Sequence, residues 1–389
     1  MVVQREADEW FLQGTMPAFS GPAPFGWIER IDPETLEPTA ASPQLPCGNH
    51  VWCGAILAHA DGSLYTVNGS YMHRLDPDCQ VLAERELPVD QAHNGLLSLF
   101  DGTLATKDLR LEGHGTSTIT LLAPETLEVC APPFALPEGS MGRIAAYREG
   151  SGEWILVAGT EHLWRAYWDG TELRLDDAWR PRYREAGDRN GLAWDSCVAA
   201  GAVWSMDNGD IDSVRLIFGT QPNGRFETPP ARELSWRRPA PWAGAQRLLR
   251  TSLESGSQPV SIEPFGTPGG GIIAPPVFVP EFDLAIAWDS LNGGLAGIAW
   301  DKQGFTPRWT LPLRPSMQPV VFPESGELVI NDFTEAGSDD LVAVDIETGA
   351  LKARVPTGSR VANGMFLSPG PGRSLFYCST GSVARIAWE

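Results

Sequence analysis

Lysine is nearly missing from this chain. Only Lys107, Lys302 and Lys352 occur among 29 basic residues, so arginine supplies the remaining 26. Acidic residues number 49, which leaves a formal net charge of −20. That balance argues against nucleic acid or an anionic membrane surface as a partner. No run of eighteen apolar residues occurs, so no membrane-spanning helix is expected. The opening residues, MVVQREADEW, lack a basic stretch followed by an apolar one. No secretory signal is read there, and a cytoplasmic location is expected. Cysteine is scarce and scattered at 47, 53, 79, 130, 197 and 378, with no CxxC pair. Cys47 and Cys53 could bridge, but free, mostly buried thiols are expected. The chain also has no GxSxG, no Walker sequence, no HExxH, and no GxGxxG at a strand-to-helix junction. Covalent serine chemistry and nucleotide binding lose their usual signatures.

What the chain has is turn residues, tryptophan and a repeat. Gly 41 and Pro 33 in 389 residues, without a collagen period, imply many tight turns. Helical periodicity is weak, while short segments such as GSLYTV, STITLL and LVAVDI are rich in β-formers and bounded by turn residues. One turn recurs as RIDPETLEP (30–38), RLDPDCQVL (74–82), LLAPETLEV (121–129), AYWDGTELRL (166–175) and VAVDIETGALKA (342–353). A strand opening on a small residue recurs with anchors at 54, 95, 142, 191, 271, 319 and 364. The steps are 41, 47, 49, 80, 48 and 45 residues. A four-stranded unit of that period is the signature of a β-propeller. The expected fold is therefore all-β, a single propeller domain over 1–389, with seven blades favoured and six or eight open. The C-terminal SVARIAWE reads as a third strand with no fourth, so the N-terminal segment is expected to complete that blade and close the ring. The long step places an inserted loop or lid at 221–265, which could also mediate a homodimer.

The turns DIETGALKA and DKQGFTPRW resemble the repeat of quinoprotein-like (PQQ-like) propellers. The stretches NGLAWDSCVAAGAVWSMDNGD and NGMFLSPGPGRSLFYCSTG are similar to gluconolactonase, paraoxonase and strictosidine-synthase-like propellers. The resemblance covers most of the chain as architecture. It implies a divalent metal, usually calcium, on the channel axis. Carried over by position, Asn190 matches best, with Asp207 or Asn208 as partner and Asn94 and Asn363 as weaker matches. No counterpart of the early Glu ligand of those families is found in the sequence.

Blade topology places residues before each first strand and after each second strand on one rim. Asn94, Asn190, Asp207 and Asn363 there form the expected metal set, because a hard cation takes carboxylate and amide oxygens. Calcium is the expected ion, with Mn, Fe or Zn as alternatives. The same Asn-Gly and Asp pairs also suit ordinary turns, whose residues tolerate φ > 0 or cap their own backbone. His93, His162 and Asp289 are the catalytic candidates, since imidazole and carboxylate can move protons. His50, Arg143, Trp194 and Trp288 are the candidate substrate contacts, suited to an aromatic, apolar or carboxylate-bearing small molecule. Three readings follow: a metal-dependent lactonase or esterase, a non-catalytic propeller binding a protein or small ligand, and a His-based lyase or isomerase. A quinone-dependent oxidoreductase is weaker, because such enzymes are mostly exported.

Overall fold

The computed structural model describes residues 1–16, 23–50, 52–110, 115–184, 192–208, 244–272, 274–301, 303–359, 364–379 and 382–388. Contacts group the chain into two compact units. One carries Met1–Arg180; the other, among the described residues, carries 181–208 and 244–388.

The first unit holds four antiparallel sheets in chain order. They open on the strands Val2–Glu6, Cys53–Ala58, His93–Ser98 and Ala145–Glu149. The second unit holds four more, opening on Leu192–Ala199, Val277–Val279, Val320–Phe322 and Gly364–Pro369. Each strand pairs with the next in sequence, which is the blade topology of a propeller. Eight sheets among the described residues settle the count at eight rather than the favoured seven. The seven sequence anchors each introduce one sheet; the eighth is the N-terminal segment itself. Its strands Val2–Glu6, Glu9–Met16, Phe25–Ile31 and Pro38–Ala41 form a complete sheet of their own. Among the described residues the N-terminal segment therefore adds no fourth strand to the last sheet. Val2–Glu6 pairs with Glu9–Met16, and the last sheet has three strands, ending in Ser382–Ala387.

Part of the expected insertion at 221–265 is sheet. Leu248–Ser252 and Val260–Ile262 are the third and fourth strands of the fifth sheet. Residues 221–243 lie outside the described residues.

Burial explains why helical and alternating patterns are both weak. The second strands Leu64–Asn68, Leu104–Asp108 and Leu284–Trp288 are buried at every position. A strand covered on both faces reads as a continuous apolar run, not as an alternation. Outer strands behave oppositely: Val81–Glu86 alternates half-buried with exposed, and Leu351–Ser359 is mostly exposed.

The recurring turn has one geometry. Asp32 Oδ1 accepts from the backbone N–H of Glu34 (2.9 Å) and Thr35 (2.8 Å), and Asp345 Oδ1 accepts from Thr348 N–H (2.9 Å). The same turn drives Leu36 to φ 62° and Leu127 to φ 58°, where the Asp345 turn has Gly349 at 72°. All six cysteines are free thiols. Cys47 is raised to about 12 by burial and by neighbouring Cys53.

Tryptophans fill space that glycines leave. Gly297 lies opposite Trp309 across the ladder of the sixth sheet, and its missing side chain is replaced by that indole. Trp309 Nε1 donates to Ile346 O at 2.8 Å, which fixes the ring in place. Gly297→Ala must displace it, and overpacking of this kind costs about 1–3 kcal/mol. The unfolding free energy from urea titration should fall by that amount; an unchanged value would contradict the packing described.

Candidate functional site

In the sheets the start of the first strand lies opposite the end of the second. Cys53 pairs with Asn68, His93 with Asp108, and Leu192 with Asn208. The strand pairing from which the rim was inferred thus holds within these sheets. A bulge recurs just inside it, between Cys53 and Ala55, His93 and Leu96, Ala193 and Ser196, and Gly364 and Phe366. Gly95 takes φ 83° in one of these bulges. Its Asn-Gly step is therefore explained by backbone geometry, since a bulge re-aims the strand and glycine permits positive φ.

The acids that end the second strands are clamps. Asp108 Oδ2 accepts from Arg110 Nε (2.6 Å) and Oδ1 from Thr118 N–H (2.5 Å). Asp207 accepts from Arg247 N–H and Arg247 Nε, both at 2.5 Å. Asp332 accepts from Arg314 N–H and Arg354 Nη2, both at 2.7 Å. In each case a buried or nearly buried carboxylate takes a backbone N–H from another segment and meets an arginine. Charge-assisted bonds of this type are the strong ones. Burial raises Asp207 to about 6, against the Arg247 charge and hydrogen bonds, which act to lower it.

This bears on the expected metal set. Both carboxylate oxygens of Asp207 are engaged by Arg247, so it is not a metal ligand here. Asn94 is wholly buried; its Oδ1 accepts from Trp52 Nε1 (3.3 Å) and its Nδ2 donates to Met141 O (3.4 Å). It supports neighbouring loops instead of presenting an oxygen. Asn190 and Asn363 lie outside the described residues.

The expected catalytic and substrate residues divide between the units. In the second, Trp288 belongs to the hydrophobic core and Trp194 is 3% exposed, so burial makes them packing residues and removes them as substrate platforms. Asp289 is buried, and its Oδ1 accepts from the N–H groups of Gly271 (3.1 Å), Leu291 (2.9 Å) and Asn292 (3.1 Å). It caps a turn and is closed off from substrate. Burial raises its carboxyl, opposed by the same backbone N–H groups.

In the first unit, His50 Nε2 meets Asp90 Oδ1 at 3.1 Å, and Arg143 is half-buried beside Gly95. His93, expected as a base, is completely buried. Its Nδ1 donates to Gln91 O at 3.0 Å, leaving Nε2 enclosed without a hydrogen-bond partner. A base that cannot reach solvent cannot reach a substrate, which removes His93 from that role.

His162 is different. Its imidazole is 23% exposed, and Nδ1 meets Glu138 Oε1 at 2.5 Å. The other carboxylate oxygen, Oε2, accepts from the N–H groups of Glu161 (2.8 Å) and His162 (3.2 Å), which orients it. Gly159 makes room, because a Cβ there would overlap Glu138 Oε2. Glu161 adds a third donor: one ligand atom from each of Glu138, Glu161 and His162 lies within 4.8 Å of the others. Glu138 sits in PEGSMG, ahead of the fourth sheet, and escaped sequence reasoning because nothing local marks it. Only folding brings it 24 positions along the chain to His162.

A second concavity lies in the second unit. It holds about 590 Å³ beside Asn292, Gly293, Arg314, Asp332, Thr334 and Arg354.

No family model matches the chain, and no curated protein matches it. Solved structures do. A Dos1 propeller is similar at TM-score 0.61 and 10% identity, over 97% of this chain and 89% of that one. A protein from Bacteroides uniformis described as a "putative 6-phosphogluconolactonase" is similar at TM-score 0.54 and 12% identity, over 97% and 100%. Virginiamycin B lyase from Staphylococcus aureus is similar at TM-score 0.52 and 12% identity, over 95% and 96%. Likeness at such identities speaks for the fold alone. Among the described residues no helix is long and apolar enough to cross a membrane.

The enclosed histidines carry a pH consequence. Burial lowers His93 to about 4, against an ordinary value near 6.5. The folded pKa is depressed, so the unfolded chain binds the proton first as pH falls. Stability from His93 is complete above about 6.5 and is lost toward 4, at about 1.4 kcal/mol per pH unit. His93→Gln should flatten that part of the urea-midpoint profile between pH 7 and 4.5; an unaltered slope would refute it.

Proposed function

We propose that this propeller is a hydrolase of small esters or lactones, with Glu138 and His162 as its acid–base pair. One observation carries the reading: a partly exposed imidazole whose Nδ1 is held by an oriented carboxylate at 2.5 Å. Glu138 accepts the Nδ1 proton and fixes the tautomer, so Nε2 carries the lone pair. Nε2 is then the atom that takes a proton from water as it attacks the carbonyl, and returns it to the leaving oxygen. One structural neighbour is described as a lactonase and another is named a lyase; both names involve proton transfers that a His–carboxylate pair can perform.

The divalent cation anticipated from the sequence has a further candidate donor set here, in a form of the site in which His162 gives up its bond to Glu138. Glu138, Glu161 and His162 would hold it, and it would supply carbonyl polarisation. A non-catalytic ligand-binding role is favoured only by the concavity beside Arg314, whose size suits a small molecule.

His162→Asn should lower turnover of a responsive lactone or ester about 10²–10⁴-fold, with the fold intact by circular dichroism. Glu161→Gln and chelation separate the two forms of the site. If the pair works alone, both treatments leave turnover within about threefold; if a cation is needed, both abolish it. Full activity in His162→Asn, or no turnover across a lactone and ester panel, would refute the assignment.

A further inference from the structure

The concavity of about 590 Å³ in the second unit is lined by loops and strand ends of the sixth and seventh sheets. Three pieces of backbone build it. The Asn292–Gly293 turn joins the second and third strands of the sixth sheet, Leu284–Trp288 and Leu295–Asp301. Residues 312–314 follow the fourth strand of that sheet, Gly304–Leu311. Thr334 and Glu335 follow the second strand of the seventh, Glu327–Phe333. Main-chain groups fix these pieces: Gly294 N–H donates to Leu313 O (2.5 Å), Phe333 N–H to Arg314 O (3.0 Å), and Arg314 N–H to Asp332 Oδ1 (2.7 Å). Arg314 is held by its backbone, and its guanidinium takes no part in the holding.

The charges in the cavity fall into two groups. Arg354 is committed: Nη2 donates to Asp332 Oδ2 (2.7 Å) and Nη1 to Asp340 Oδ2 (3.0 Å). Arg314 and Glu335 are not. Both are exposed, and neither side chain has a hydrogen bond or ion pair among the described residues. One exposed charge without a partner is ordinary, because surface ion pairs contribute little. Two of opposite sign in the lining of one cavity form a pattern that a ligand can complement. Gly293, at φ 86°, keeps the wall beside Arg314 open: a Cβ there would lie 3.3 Å from Leu313 O and 3.8 Å from Arg314 Nε.

The charge of the occupant follows from the lining. Two arginines against three carboxylates leave a net charge of −1. An anion alone meets a wall that is negative overall, and a cation alone leaves Arg314 without a counter-charge. A molecule with both a carboxylate and an ammonium group satisfies each. Half-buried Phe333 and exposed Pro312 give its body an apolar side, and the volume lies in the range of small-molecule sites. We propose that this cavity binds a zwitterion of the amino-acid or dipeptide class, with its carboxylate on Arg314 and its ammonium on Glu335. The site lies wholly in the second unit and involves neither Glu138 nor His162.

Isothermal titration of the intact protein at low ionic strength tests this, with L-phenylalanine and glycyl-L-phenylalanine as probes. Phenylacetate and phenethylamine carry the same ring with one charge each. The expected result is saturable binding of at least one zwitterion, with both single-charge analogues at least tenfold weaker. Arg314→Gln and Glu335→Gln should each weaken it about tenfold. Both variants retain the backbone bonds above, so their circular dichroism and Tm should match the wild type. No saturable binding of either zwitterion overturns the proposal. So does an analogue that binds as tightly, or an affinity that either substitution leaves unchanged. An equal fall of Tm in both variants, without binding, makes Arg314 and Glu335 partners of each other and refutes it as well.

Discussion

Each sheet buries its second strand, and the polar end of that strand must still be satisfied. That constraint organises the rim. The strand interior gains from apolar burial at roughly 25 cal/mol per Å², but its last residue meets loops, not another apolar face. Asp108, Asp207 and Asp332 resolve the conflict alike, each accepting from a backbone N–H and from an arginine. The shortage of lysine matters here, because the guanidinium fork suits a carboxylate where an ammonium does not. Chain ends that look like a ring of ligands are, for these three acids, fasteners for loops.

Against that background the departures stand out. Asp289 follows a second strand too, but meets backbone N–H groups and no arginine. The fourth sheet has no acid at the corresponding place, where Ala158 and Gly159 stand. There Glu138 arrives from the preceding loop and engages His162 instead of an arginine. Replacing arginine by imidazole puts a ring with one donor and one acceptor nitrogen where the other acids meet a donor-only guanidinium. The same scaffold thus yields a fastener at one sheet and a candidate acid–base pair at another.

The architecture was legible because turn chemistry is local. Asp32, Asp76 and Asp345 write the same Asp-headed turn, so period and strand order could be read without any contact information. The eighth sheet escaped because the N-terminal segment lacks the small-residue opening that marks the other seven. The rim was legible too, since pairing of first and second strands dictates it. Roles on the rim were not. Whether Asp207 binds a metal or Arg247 depends on a residue 40 positions away, and the burial of His93 depends on how the surrounding loops pack. Glu138 had no local mark at all. His162 was identified by residue type and loop position, and the partner that gives it a function is a product of the fold.

The central claim concerns the protonation of one ring. Side-chain ¹H–¹⁵N correlation spectra of the six histidines, recorded at alkaline pH, test it most directly. A carboxylate holding Nδ1 requires His162 to show a protonated Nδ1 and a bare Nε2, with that preference weakened in Glu138→Gln. A His162 that carries its proton on Nε2, or whose tautomer ignores the Glu138 substitution, would contradict the account.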